Sequence, residues 1–172
     1  MNKTLKILSL SLLTSLASFS AYATDANSIE VTNPYAREVP PGAPASASFM
    51  NLANNSDSTI KLVSASSKSA EIVELHTHTN DNGVMRMRKI DSIEIPANSE
   101  VSLQPGGHHI MLINPVKALK ADQTIEVTLV FADGTTQTVK MPVKSLKKMM
   151  RQQMQMNSHK HNHEQMMNHH NH

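Results

Sequence analysis

Cysteine is absent from all 172 residues. Its absence excludes disulfides, thiolate zinc sites and a blue-copper centre, which requires a thiolate ligand. Stability must therefore come from packing alone. Tryptophan is also absent, and aromatic residues make up only 3% of the chain. No apolar run is long enough to cross a membrane. The most apolar stretch, MNKTLKILSLSLLTSLASFSAYA, is followed by Thr24 and diluted by seven serines and threonines between Ser9 and Thr24, whereas a spanning helix needs about 20 predominantly apolar residues.

That stretch has the order of a secretory signal peptide: Lys3 and Lys6, a Leu/Ile/Ser-rich segment, then Ala21-Tyr22-Ala23. Cleavage is expected after Ala23, releasing an exported chain with no membrane span. Those two lysines are among the sixteen Lys/Arg, and none of the fourteen Asp/Glu precedes residue 24, so the expected mature chain has no net formal charge. Its charge is uneven. Residues 144–172 carry five basic residues and one acidic, leaving nine basic and thirteen acidic in 24–143. Basic tails can bind nucleic acid, but export, few aromatics and the density of His and Met in this tail speak against such a partner.

Residues 24–143 are expected to form one domain. From Ile29 onward, short apolar or alternating runs separated by turn residues predict strands. IEVTNPYAREV is followed by the breaker Pro40-Pro41-Gly42-Ala43-Pro44. ASASFMNLAN ends at the turn cluster Asn54-Asn55-Ser56-Asp57 ahead of TIKLVSASS, and the first two strands are expected to pair across that turn. In EIVELHTHT the period of two puts Val73, Leu75 and Thr77 on one face and Ile72, Glu74, His76 and His78 on the other. After the turn Asn80-Asp81-Asn82-Gly83, VMRMRKI returns with Met85 and Met87 on one side, in a hairpin expected to bring His76 near Met87. Pro105-Gly106-Gly107 leads into HHIMLIN, where His109, Met111 and Ile113 share a face opposite His108, Ile110 and Leu112. TIEVTLVFA and TTQTVKMPV flank Asp133-Gly134 as a hairpin whose Ile125, Val127, Leu129 and Phe131 form one buried face. Some eight strands without a long helix before Lys144 predict an all-β fold, an antiparallel β-sandwich of Greek-key type.

Four residues in this array stand at a set spacing: His76, Met87, His109 and Met111, or H-x10-M-x21-H-x-M. Imidazole and thioether form a borderline-to-soft donor set, and thioethers select reduced copper over harder divalent ions. Four protein donors can hold Cu(I), a d10 ion, tetrahedrally without leaving a position for substrate. A copper oxidase would want a different shell, and a histidine brace needs a terminal histidine where Thr24 is expected. Met85 is expected to pack or line the pocket, with a spare thioether as the other reading. His78 and His108 are expected to be outer residues able to offer an alternative nitrogen.

The spacing, together with VELHTH, MRMRKID, IEIPA and PGGHHIML, resembles the periplasmic copper chaperone family PCu(A)C from about Ile29 to Val143. The resemblance implies a cupredoxin-like sandwich, copper ligands at His76, Met87, His109 and Met111, and a periplasmic location. It also implies a copper-acceptor partner, the CuA subunit of cytochrome oxidase or an assembly factor. A monomer and no catalytic residue are expected.

After Val143 the composition changes. Residues 144–172 contain six methionines and six histidines, and a helix is possible over 144–157. The remainder has no core to build, so a flexible tail is expected. His159, His161, His163, His169, His170 and His172 suit Cu(II) or Zn(II), and Met149, Met150, Met154, Met156, Met166 and Met167 suit additional Cu(I). Chaperone, copper buffer for tolerance and copper-dependent redox enzyme are the three functional readings. The first two share every ligand and differ only in kinetics and partners.

Overall fold

The computed structural model describes residues 25–151 except Met149. The signal-peptide expectation lies outside the described residues. So does every tail residue named above except Met150, which is half exposed at the end of a short helical stretch containing residues 146–148.

One four-residue helix, α1 (Asp25–Ser28), precedes ten strands. They are β1 (Ile29–Arg37), β2 (Ala45–Asn54), β3 (Ile60–Ser66), β4 (Ala70–Asp81), β5 (Val84–Lys89), β6 (Ile93–Ile95), β7 (Ser99–Leu103), β8 (His109–Pro115), β9 (Thr124–Phe131) and β10 (Thr136–Lys144). Hydrogen bonding runs β5-β4-β8-β2-β1-β10-β9-β3-β6, with β7 paired to β2 beyond β8. The all-β, cupredoxin-like expectation agrees with this arrangement.

One pair departs from an all-antiparallel sheet. β1 and β10 run parallel, with Ala36 beside Val143 and Arg37 beside Lys144. Parallel neighbours need a long crossover, and here nearly the whole domain lies between the two strands. The first two strands do pair, Ile29 with Asn54 through Ala36 with Ser48. That ladder shifts at Asn33 and Pro34, where a proline without an N–H can be tolerated. The Asn54 cluster instead carries the chain from β2 to β3, which pairs with β6 and β9.

One core joins both parts of the sheet path. Leu52, Leu75, Ile110 and Leu112 meet Leu62, Ile95, Val127, Leu129, Phe131 and Met141 in a single buried cluster. Full burial of such side chains stabilises by roughly 1.5–3 kcal/mol each. The alternation predicted for Ile125, Val127, Leu129 and Phe131 is the buried face of β9. Asn54 is the polar pin at the edge of this core. Its amide donates to the carbonyls of Ser58, Ile95 and Pro96, and its oxygen accepts from the Ser56 backbone and hydroxyl.

Candidate metal centre

Three neighbouring strands, β5, β4 and β8, carry the motif residues. The β4–β5 register follows from its turn. Asp81 pairs with Val84, leaving Asn82 and Gly83 as a two-residue loop, and both have positive φ, 53° and 86°. That is the backbone an Asn-Gly hairpin turn of type I′ supplies. Counting back along both strands, Met87 stands opposite His78 and His76 stands opposite Lys89. The hairpin does bring His76 near Met87, but as a diagonal neighbour on the same face; His78 is the direct partner. On its other side β4 pairs His76 with His109 and Glu74 with Met111.

Met87 and His109 reach towards one another over β4. The His109 Nε2 lies 3.2 Å from the Met87 Sδ. His109 Nδ1 is 3.1 Å from the Gly107 carbonyl, which can only accept, so Nδ1 carries the proton and Nε2 keeps its lone pair in the neutral ring. For a tetrahedral d10 ion with nitrogen at ~2.0 Å and sulfur at ~2.3 Å, two such donors stand about 3.5 Å apart. The observed separation is within a few tenths of an ångström of that spacing. Both donors line an open cavity of about 300 Å³ with Met111, His78, Phe49 and Arg37. Gly106, with φ 82°, shapes its rim.

His109 is buried at 3% exposure. Burial pushes its pKa below the ordinary imidazole value; the Gly107 hydrogen bond opposes this, and the charges of His78, His76 and Arg37 add to the lowering. The ring is thus biased towards the neutral form that binds metal.

His76 is held differently. It does not line the cavity, although its ring centroid is 5.7 Å from that of His109. Its Nε2 donates to Glu74 Oε2 at 2.8 Å, and Lys89 Nζ donates to the other carboxylate oxygen at 2.8 Å. Hydrogen bonds from Lys89 and then His76 hold the Glu74 carboxyl below its usual range, so it is ionised and can only accept. The proton of a neutral His76 therefore sits on Nε2. Among the described residues its Nδ1 is buried without a hydrogen-bond partner, and it carries the lone pair available to a metal. A carboxylate fixing the tautomer of a metal-binding imidazole is a recurrent arrangement.

Other candidates fall away from this cluster. His108 does not line the cavity, and among the described residues its buried Nδ1 has no partner. Met85 is 56% exposed and absent from the cavity wall, so the expectation that it packs or lines the pocket is corrected. It stands opposite Asn80 near the hairpin tip, where none of the described residues covers it. His78, expected outside, is a wall residue; the Asn-Gly turn already contained the signal that places it opposite Met87. A larger concavity of about 800 Å³ is lined by Ser66, Ser67, Lys68, Thr128 and Lys140 among others, without imidazole or thioether.

The LpqE-like lipoprotein family profile matches residues 29–143. The chain belongs to the LpqE-like family, of PCuAC type. Lxx21020 of Leifsonia xyli subsp. xyli, itself named as a lipoprotein, is 36% identical over 129 residues, covering 74% of this chain and 76% of its own. The solution structure of CuI-DR1885 from Deinococcus radiodurans is similar at 36% identity and a TM-score of 0.55, over 69% of this chain and 81% of that one. The copper-bound PCuAC domain from PmoF2 shares the fold at a TM-score of 0.58 and 24% identity, over 69% of this chain and 93% of that one. In this PCuAC domain the β4–β5 hairpin and the Gly107–Met111 segment supply the sulfur and imidazole groups that line the pocket.

Proposed function

We propose that this protein is a copper chaperone that binds one Cu(I) through His76, Met87, His109 and Met111 and passes it to an acceptor protein. The observation that carries this reading is the 3.2 Å approach of His109 Nε2 and Met87 Sδ at an open cavity shared with Met111. Two thioethers favour Cu(I) over Cu(II), which prefers nitrogen, oxygen and tetragonal geometry. Four protein donors leave no position for substrate, which favours carriage over catalysis. The likeness to the CuI-DR1885 structure, at 36% identity, supports the same cargo.

Handing on suits the geometry better than storage alone. Met87 is 46% exposed on an edge strand, so an incoming donor can reach its sulfur without unfolding the domain. The acceptor we propose is the CuA subunit of cytochrome oxidase or an assembly factor serving it, met by an exported monomer in the periplasm. The lipoprotein description of the family is consistent with export. The tail histidines and methionines, in the same proposal, gather Cu(II) and additional Cu(I) and raise their effective concentration beside the core site.

The test is anaerobic Cu(I) titration against a competing chelator, followed by mixing with candidate acceptors. Met87→Leu and Met111→Leu should keep the fold, since volume-conserving apolar swaps usually cost under ~1.5 kcal/mol, while weakening Cu(I). Unchanged affinity in both variants refutes the ligand assignment. Tight binding without transfer to any acceptor makes the protein a buffer.

A further inference from the structure

The four proposed ligands do not exhaust the donors on this face. β4 lies between β5 and β8, and the Met87–His109 contact crosses over it. His76, beside His109, and His78, beside Met87, both project from the crossed face of β4. The two imidazoles are held unequally. His76 is anchored by Glu74 at 2.8 Å, with a side chain only 14% exposed. Among the described residues His78 makes one hydrogen bond, Nδ1 to the Gly107 carbonyl at 3.5 Å, the outer limit of such a bond, and that oxygen is already taken by His109 at 3.1 Å. The His78 ring stands 5.3 Å from that of His109 and forms part of the cavity wall.

Further along the same hairpin face is a third donor. Successive residues on one face of a strand are about 6.6 Å apart, and Met85 is the next residue after Met87 on that face, towards the Asn82-Gly83 tip. Its side chain is 56% exposed although apolar, and it belongs neither to the core nor to the cavity wall. Donors thus run from the buried His109, through His78 opposite Met87, to the solvent-exposed thioether of Met85.

We propose that His78 and Met85 form an exit path for Cu(I), distinct from the resident ligand set. This inference rests on the copper reading of the pocket. Exchange of a bound cation avoids a bare ion when the incoming donor bonds before the outgoing one leaves. His78 supplies that donor: its bond to copper forms as the His76 bond breaks, and the ring needs to give up only one long hydrogen bond to take part. The ion stays Cu(I) and no electron moves. Met85 then offers an exposed soft donor at the hairpin tip, where a donor of the acceptor can replace it. The resident shell keeps affinity high, and the two path residues set how quickly the ion leaves.

The experiment compares the full mature chain with His78→Phe, Met85→Leu and the double variant. Circular dichroism checks the fold, equilibrium competition under anaerobic conditions measures affinity, and stopped-flow transfer to excess bicinchoninate measures release. Met85→Leu should keep the wild-type Cu(I) affinity, and the double variant should lose far less affinity than His109→Ala while releasing copper severalfold more slowly. Release at the wild-type rate from the double variant overturns the proposal. So does a loss of affinity as large as that caused by His109→Ala, because His78 or Met85 would then be a resident ligand. Failure of the wild-type protein to bind Cu(I) would instead overturn the copper reading itself.

Discussion

Glu74 allows the site to be perturbed without removing a donor to copper. Its carboxylate holds His76 Nε2–H at 2.8 Å and leaves Nδ1 as the unpartnered nitrogen. In Glu74→Ala the ring loses that anchor and can rotate or shift its proton to Nδ1, both of which take away the lone pair that Nδ1 offers to a metal. Losing a hydrogen-bond partner of a metal-binding histidine typically weakens metal binding by about 10–100-fold, and Cu(I) affinity is expected to fall within that range. Glu74→Gln should fall at the weak end, because its amide oxygen still accepts from Nε2–H. Lys89→Met is the control. It breaks the ion pair to Glu74 Oε1 but leaves the His76 contact, so affinity should barely change. The Glu74–Lys89 pair is partly solvated, and such pairs add little to stability, so thermal unfolding of the metal-free variants should stay near wild type. Chelator competition gives the affinities, and nitrogen chemical shifts of the imidazoles give the His76 tautomer. Wild-type affinity in Glu74→Ala, or a wild-type His76 bearing its proton on Nδ1, refutes the reasoning.

Four further outcomes can be measured. Copper binding should weaken in acid. Protons displace metal from neutral imidazole, and because burial lowers the His109 pKa, its share of the loss should begin below the ordinary imidazole range near 6.5; affinity that stays flat down to about pH 5 means no histidine is a ligand. The same lowering makes the metal-free domain less stable as pH falls from the unfolded imidazole value towards the folded one, because the unfolded chain binds the proton more readily there; urea unfolding across that window measures it. Asn54→Ala leaves the carbonyls of Ile95 and Pro96 without their donor, and should cost about 1–3 kcal/mol in a urea titration. Deleting residues 152–172 should remove any extra copper equivalents and keep the core site. The cut must spare Lys144, which pairs with Arg37 and accepts from the Glu38 backbone at 2.9 Å. Equal rates of core filling with and without those residues, when Cu(II) and a reductant are limiting, would reduce them to a store.

Much of this molecule is legible in its residues. Alternation along TIEVTLVFA marks the buried face of β9, and the two-residue spacing of His109 and Met111 puts both on the pocket side of β8. Such patterns are local, because side chains on a strand alternate faces whatever lies beside it. Imidazole and thioether chemistry is likewise intrinsic to the residues, so the preference for soft, reduced copper could be argued without coordinates. Strand partnership is not local. Nothing in IEVTNPYAR or TQTVKMPVK declares that β1 and β10 lie parallel at the junction of the sheet path, since that pairing depends on everything folded between them. Register within the β4–β5 hairpin stood between these cases. Asn82-Gly83 encodes a two-residue turn, but a strand read by its faces alone cannot distinguish His76 from His78, which share one. Only the assembled β5-β4-β8 triplet sets His78 against Met87, turns His76 towards Glu74 and leaves Met85 in solvent, because contacts across three strands decide which of several equivalent faces meets another.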